Sequence, residues 1–201
     1  MKKTMLLGVL MLSAAAGFGQ ESRQDVSFSG TGFFAPQVNA PGGVQENSTG
    51  SLGLVTSYRY MLTPHSALEL NYSFTQNQQK YKVSFNGPDG QRIHSRQQEV
   101  TGAYVYSLNF KRFSPFAEVG VGTLFFSPIH DYGTNALDTK SNKRIGGLFG
   151  AGLAYELSPS FDLRLEYRGF LAKTPDYGIG DFKTNVYEVF STPAFGVAYH
   201  F

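Results

Sequence analysis

Apolar and polar residues alternate with a period of two along most of the chain after about residue 25. Between positions 68 and 75, leucine, tyrosine and phenylalanine alternate strictly with glutamate, asparagine, serine and threonine. The same alternation recurs between 162 and 168, and again at the carboxyl end from 194 to 201. Successive side chains of a β-strand point to opposite faces, so this period indicates strands with one apolar face.

The alternation predicts eight strands, and the connections between them differ in length. The strands are predicted at about 26–36, 50–61, 67–77, 97–110, 115–126, 144–157, 161–172 and 186–201. Three connections are short turns that contain Pro64, Pro115 and Pro159, because proline donates no ladder hydrogen bond and suits a turn or strand start. The other four are longer, at about 37–49, 78–96, 127–143 and 173–185. This layout is typical of outer-membrane proteins, so the predicted fold is all-β: an eight-stranded antiparallel transmembrane up-and-down β-barrel.

The first twenty residues have the pattern of an export signal. Lys2 and Lys3 precede an apolar stretch from Met5 to about Leu12, and small residues follow. This order is that of a secretory signal peptide, and the apolar stretch is too short to span a membrane as a helix. We therefore expect a signal peptide over 1–20, with cleavage near 16–20, and a single barrel domain over 21–201.

The polar face of the strands is rich in glycine, alanine and serine and poor in the long lysines and glutamates of a soluble surface. Small residues suit the cramped interior of an eight-stranded barrel, which is only wide enough for side chains to fill. The large charged residues on this face are therefore predicted to lie inside and to pair as an interior ion network, because unpaired buried charge is costly. They are Arg59, Glu69, Glu118, Glu156, Arg164, Glu166 and Arg168. Arg59 is expected opposite Glu69, and Arg164 or Arg168 is expected to reach Glu69 through the lumen.

The apolar face is then predicted to contact lipid, with an aromatic girdle beside the short turns. The girdle is expected to comprise Tyr58, Tyr60, Tyr106, Phe110, Phe116, Tyr155, Phe161, Tyr167 and Tyr199. Composition agrees with this interpretation, since 15% of the residues are aromatic and only 16% are charged. The chain has no cysteine, which excludes a disulfide framework, and its formal net charge of +2 gives no strong attraction to nucleic acid.

The chain ends Phe195-Gly-Val-Ala-Tyr-His-Phe201, a last strand with alternating aromatics and a terminal phenylalanine. With the export signal and the stretch Leu163-Arg-Leu-Glu-Tyr-Arg168, it resembles the small outer-membrane β-barrel family that includes the transmembrane domain of OmpA and the OmpX-like proteins. The resemblance covers nearly all of 26–201. It implies the Gram-negative outer membrane, a structural or surface-interaction role in adhesion and envelope integrity, and Tyr199 and Phe201 as the signal read by the assembly machinery.

Catalytic and metal-binding patterns are weak. The four histidines, His65, His94, His130 and His200, show no metal-ligand spacing with one another or with an acid cluster. His130-Asp131 is the best isolated pair, but no nucleophile accompanies it. We expect no enzyme activity and no cofactor. Two alternatives stay open: a narrow outer-membrane channel, and a soluble lipocalin-like carrier with its apolar face inside.

The second long loop continues the alternation and predicts a hairpin that protrudes above the membrane, with strand edges free to pair with another chain. Its candidate binding residues are Lys80, Tyr81, Lys82, Arg92 and Arg96. The basic members alternatively face lipopolysaccharide phosphates. The expected partners are membrane lipids and lipopolysaccharide, the assembly machinery and an unidentified extracellular ligand, and we expect a monomer that binds no nucleic acid.

Overall fold

A computed structural model of the chain describes residues 23–39, 45–82, 91–130, 139–179 and 186–201. Ten strands lie in these ranges. They are β1 (Gln24–Phe33), β2 (Val38–Asn39), β3 (Gln45–Ser48), β4 (Ser51–Thr63), β5 (Ser66–Lys82), β6 (Gln91–Ser107), β7 (Phe113–Pro128), β8 (Asn142–Ser158), β9 (Phe161–Lys173) and β10 (Tyr187–His200). The predicted signal peptide over 1–20 lies outside the described residues. They contain no helix long and apolar enough to cross a membrane.

Eight of these strands close into an antiparallel barrel, as the alternation predicted. Each pairs with its neighbours in the order β5, β4, β1, β10, β9, β8, β7, β6, and pairing of β5 with β6 completes the ring. The turns at 63–66, 107–113 and 158–161 define a short-turn end, where both described chain ends also lie. The opposite end, where the strands are joined through longer segments, is the long-loop end.

Two short strands were not predicted. β3 pairs antiparallel with the upper part of β5, from Gln45 opposite Lys82 to Ser48 opposite Gln79, and β2 pairs with β3. The sequence Gln-Glu-Asn-Ser of β3 has no apolar alternation to mark it as a strand, so its position depends on pairing with β5 and β2. β5 and β6 are also longer than predicted, because their pairing continues to Tyr81 opposite Gln91.

The outward face is apolar and exposed to the surroundings. Leu52, Val121 and Ile145 are 88%, 70% and 81% exposed, which is unusual for large aliphatic residues in water. The inward face carries the polar and charged side chains, which are buried. Gly150 and Gly152 of β8 make this possible locally, because a Cβ on either would collide with the side chain of Glu118 or Phe116 on β7.

Candidate functional site

The lumen contains a network of buried ion pairs, first between β4, β5 and β9. Arg59 and Glu69 are directly opposite each other on β4 and β5, with Nη2 of Arg59 2.6 Å from Oε2 of Glu69. Arg164 of β9 reaches the same oxygen from across the barrel, with its Nη2 at 3.4 Å. Arg164 also donates to the hydroxyl of Ser27 at 3.0 Å. One carboxylate therefore ties three strands together.

A second centre forms around Arg168, which is almost fully buried. Its Nη2 lies 3.0 Å from Oε1 of Glu99, and its Nε lies 3.3 Å from Oε1 of Glu118 and 3.2 Å from Oε1 of Glu166. The same Nη2 donates to the hydroxyl of Thr101 at 3.1 Å. These carboxylates come from β6, β7 and β9, so the guanidinium links strands on opposite walls.

The structure thus brings together six of the seven residues proposed for the interior network. Glu156 is the exception: its side chain is exposed at the short-turn end of β8, where the strand leaves the lumen. Asp25 and Glu99 were missed, although both lie inside. Glu99 shares the inward face of β6 with Thr101, so its position in the alternation was a usable signal. Asp25 was placed just before the first predicted strand, which in fact begins at Gln24.

Phe116 was predicted to lie in the outward girdle, and this is wrong. It is buried inside the lumen, below the network. The guanidinium carbons of Arg59 and Arg164 lie 4.8 and 5.4 Å from its ring centroid, a cation–π arrangement that favours the inward position. Phe113, three residues earlier, is exposed and takes the outward place beside Tyr155, with ring centroids 4.9 Å apart.

Apolar side chains fill the lumen towards the long-loop end, where the sequence indicated a polar interior. We call this group the aromatic layer; it consists of Phe33, Leu124, Phe126, Leu148, Phe170 and Phe190. Phe190 packs against Phe33 and Phe126 with ring centroids 5.7 and 5.8 Å apart. The run Leu-Phe-Phe at 124–126 has no alternation, so the pattern did not show which of its members point inward.

The segment 174–179, which follows β9 and which we call the strap, adds one more ring to this layer. Tyr177 is fully buried, with its ring edge-on to Phe126 at 6.3 Å and to Tyr81 at 6.4 Å. Its hydroxyl donates to Oε1 of Gln79. Its φ of 49° lies in the left-handed region, where a bulky residue is uncommon, so packing holds it there. Burial raises the pKa of Tyr177, and the hydroxyl stays protonated.

Asp176 anchors the strap from outside. Its Oδ1 accepts hydrogen bonds from Nδ2 of Asn142 at 2.6 Å and from the backbone N–H of Gly178 at 3.2 Å. Its Oδ2 lies 3.1 Å from Nη2 of Arg144. Partial burial acts to raise the pKa of Asp176, but these donors and the arginine charge outweigh it and lower the pKa.

Tyr81 is fully buried and points into the lumen, so its proposed role on a surface-binding hairpin is wrong. Its hydroxyl lies 3.0 Å from Oε1 of Glu46 and 2.9 Å from the carbonyl oxygen of Pro175, and its single proton is within hydrogen-bond reach of both acceptors. One side chain of β5 therefore holds β3 and the strap together at the mouth. Burial raises the pKa of Glu46 to about 8, although the hydrogen bond from Tyr81 opposes this shift. The charge of Glu188, also buried, interacts with that of Glu46.

The basic residues at the long-loop end face outward. Lys80 and Arg92 are opposite each other on β5 and β6, and Lys82 follows on the same face as Lys80. The predicted free edge of β5 is occupied by β3, and the tip of the hairpin, residues 83–90, lies outside the described residues.

Three further cations lie over outward aromatic rings, and we call them the cationic collar: Arg96, Lys143 and Lys173. Arg96 lies 6.0 Å from the ring centroid of Phe74, Lys143 5.4 Å from that of Phe125, and Lys173 5.4 Å from that of Tyr187. All three are exposed. The collar thus follows the outer rim of the apolar surface.

A cavity of about 550 Å³ opens at the short-turn end, below Arg59 and Arg164. Asp162 and His200 face each other in its wall, with Oδ2 and Nε2 2.8 Å apart. In the part of the chain that the structure describes, no three His, Cys, Asp or Glu side chains gather as a metal site. His130 is at the edge of the described residues, and its neighbour Asp131 lies outside them.

The chain also matches a known protein family. The family model described as an outer membrane protein beta-barrel domain matches residues 4–201. The chain belongs to this family. No curated protein matches it significantly.

Solved structures show the same fold. The chain is similar to the outer membrane protein OprG from Pseudomonas aeruginosa, with 15% identity over 91% of this chain and 98% of that one and a TM-score of 0.67. It is also similar to Neisserial surface protein A, with 14% identity over 90% and 98% of the two chains and a TM-score of 0.61. Ail, the attachment invasion locus protein of Yersinia pestis, was solved in complex with the heparin analogue sucrose octasulfate; it shares 17% identity over 89% and 99%, with a TM-score of 0.52.

Family membership gives the barrel its surroundings. The protein lies in the outer membrane, and its exposed apolar face contacts lipid. The interpretation as a soluble carrier is therefore wrong. In such barrels the short turns are periplasmic and the long loops extracellular, so the cavity opens to the periplasm and the collar lies at the cell surface. Tyr199 stacks near Phe201 at 6.0 Å at the periplasmic end, and reading of these residues by the assembly machinery stays a prediction.

Proposed function

We propose that this protein is a closed, non-enzymatic outer-membrane barrel whose role is structural or in surface interaction, contributing to adhesion and envelope integrity. The observation that carries the proposal is the content of the lumen, which holds two successive barriers. The ion network crosses the barrel through Arg164 and Arg168, and the aromatic layer fills it above. An eight-stranded barrel is wide enough only for its own side chains, so neither barrier leaves room for a wide aqueous channel.

Planar-bilayer recording of the purified protein tests the closed lumen. We expect no steady conductance steps, because an ion would have to displace both the network and the aromatic layer. A Tyr177→Ala variant, which removes the ring that the strap inserts into the lumen, is expected to remain non-conducting, since the network still blocks the lumen. Steady nanosiemens steps from the unmodified protein would contradict the proposal.

The second candidate function is a narrow channel. The observation that favours it is the periplasmic cavity, which leads from the mouth as far as Arg59 and Arg164. Conduction would then require the network to rearrange transiently. Rare, brief openings that become frequent when the network is weakened would support this alternative over a closed lumen.

At the cell surface, we propose that the cationic collar and the basic residues of the β5–β6 hairpin bind lipopolysaccharide phosphates. Ail, a barrel of the same fold, was solved in complex with the heparin analogue sucrose octasulfate, which is a polyanion. In this chain the supporting observation is placement. The collar cations lie over aromatic rings at the outer rim, where amphipathic side chains settle and where lipid phosphates begin.

Replacing all three collar residues with glutamine is expected to weaken binding of purified lipopolysaccharide about tenfold or more, because each lost cation removes roughly 1 kcal/mol of attraction near an anionic surface. The measurement is a titration in non-ionic detergent at low and high salt, and the difference should shrink at high salt. Lys111→Gln, at the periplasmic end, is the matched control and should bind normally. Equal affinity of the triple variant and the unmodified protein would refute the assignment.

A further inference from the structure

The periplasmic cavity contains a buried acceptor that the interior network does not satisfy. Asp25 is only 1% exposed and lines the cavity. Neither of its carboxylate oxygens accepts a hydrogen bond from the described residues. The nearest guanidinium nitrogen, Nη2 of Arg164, lies 3.7 Å from its Oδ1, beyond hydrogen-bond distance. Buried polar groups nearly always have a partner, so this carboxylate calls for a donor that enters from the cavity.

The neighbouring carboxylate shows the contrast. Glu69 accepts from Nε of Arg59 at 2.6 Å and from Nη2 of Arg164 at 3.4 Å. Arg164 donates to Glu69 and to Ser27, so it faces Asp25 as an ion pair at 3.7 Å without donating a hydrogen bond to it. The guanidinium groups and the ring of Phe116 beneath them close the inner end of the cavity, with Asp25 beside them.

The outer part of the cavity is lined by exposed side chains of both charges, two cations and the carboxylate of Glu156. Arg23 and Lys111 line it and are both exposed. Lys111 lies in the β6–β7 turn and has a left-handed backbone conformation with a φ of 51°. The cavity therefore has deep inside it a carboxylate that accepts no hydrogen bond from the described residues, and two exposed cations beside the exposed carboxylate of Glu156 at its rim.

The overall charge of the lining limits the ligand class. The lining includes four basic residues and three carboxylates besides His200, and the charge of Arg59 is already matched by Glu69. A simple metal ion would meet the two exposed cations of the rim, and a simple anion would meet the carboxylates of Asp25 and Glu156. A ligand with one charge of each sign and no net charge satisfies both ends, and a volume of about 550 Å³ is ordinary for a small-molecule site.

We propose that this cavity binds a small zwitterion, a free amino acid or the end of a short peptide. Its ammonium group donates to the carboxylate of Asp25, and its carboxylate lies between Arg23 and Lys111. An ammonium group carries three donors, enough to serve both oxygens of Asp25. This site is independent of the proposed surface role, since it opens on the other side of the membrane.

Calorimetric titration of the full-length barrel in non-ionic detergent tests the site with three probes: trialanine, N-acetyl-trialanine and trialanine amide. Trialanine should bind, and removing either the ammonium or the carboxylate should weaken binding at least tenfold. Free alanine distinguishes the two sources: binding as tight as that of trialanine indicates an amino-acid site, and weaker binding indicates a peptide end.

Two variants locate the charges. Asp25→Asn should lose the discrimination against N-acetyl-trialanine, and Lys111→Gln should lose the discrimination against the amide. Lys140→Gln, at the extracellular end, is the control and should behave like the unmodified protein. Heat-modifiable gel mobility shows whether each variant is folded, and Lys111→Gln, in an exposed turn, keeps the test open if Asp25→Asn does not fold. Absence of trialanine binding at millimolar concentration, or equal binding of all three probes, would overturn the proposal.

Discussion

Replacing Arg168 with methionine is expected to destabilise the barrel by roughly 3–5 kcal/mol, because removing one partner of a buried ion pair leaves uncompensated charge. Here the removed guanidinium serves three carboxylates at once, those of Glu99, Glu118 and Glu166. Methionine keeps most of the side-chain volume, so the loss would come from charge rather than from a cavity. Urea unfolding in lipid vesicles, followed by circular dichroism, measures the free energy of unfolding.

Two comparisons make this result interpretable. Arg92→Met removes an exposed arginine of β6 and should change the free energy of unfolding by less than about 0.5 kcal/mol. Adding Glu99→Gln and Glu118→Gln to Arg168→Met should recover part of the lost stability, because the two carboxylates would no longer be buried without a cation. The network would not act as a unit if the Arg168→Met barrel were as stable as the unmodified protein, or if the triple variant had a lower free energy of unfolding than the single one.

The extracellular mouth is expected to loosen as pH rises, and Glu46 is the cause. Its pKa is about 8 in the closed mouth and close to the ordinary value of 4.5 when the carboxyl is solvated. The closed mouth therefore binds the proton more tightly than the open one. The stabilisation is fully present below about pH 4.5 and is lost as pH rises through 8. The total change is on the order of a few kcal/mol, since one unit of pKa corresponds to about 1.4 kcal/mol.

Hydrogen exchange of the strap and of β3, measured between pH 5 and 9 and corrected for intrinsic rates, should show this loosening. The charged and titratable groups facing Glu46 are Tyr81, Tyr177 and Glu188, and burial keeps the Tyr177 hydroxyl protonated over this range. Glu46→Gln should reduce the pH dependence of the profile and protect the mouth at pH 8. Glu156→Gln, exposed at the periplasmic end, should leave the profile unchanged. An unchanged pH dependence in Glu46→Gln would assign the effect to another group.

The periodic part of the fold was readable from sequence. The alternation in β4 and β5 placed Arg59 opposite Glu69, because register in a short hairpin follows directly from the turn. The same alternation in β9 and β10 assigned lipid-facing and interior residues, since a strand has only two faces. Barrel closure then follows from the membrane, where an open sheet edge would leave backbone groups unsatisfied.

Only the tertiary structure determines how far along the barrel axis each lumen side chain lies. It also determines where the segments outside the alternating strands are positioned. The alternation predicts that Glu118 and Glu156 both lie on the inward face of their strands. Only the stagger of the strands in the closed barrel brings Glu118 to Arg168 and leaves Glu156 at the rim. Tyr177 lies in a segment with no periodic pattern, and its burial depends on Tyr81 and Phe126 from distant strands. Local sequence determines the face of a strand; contacts between strands far apart in sequence determine what closes the lumen.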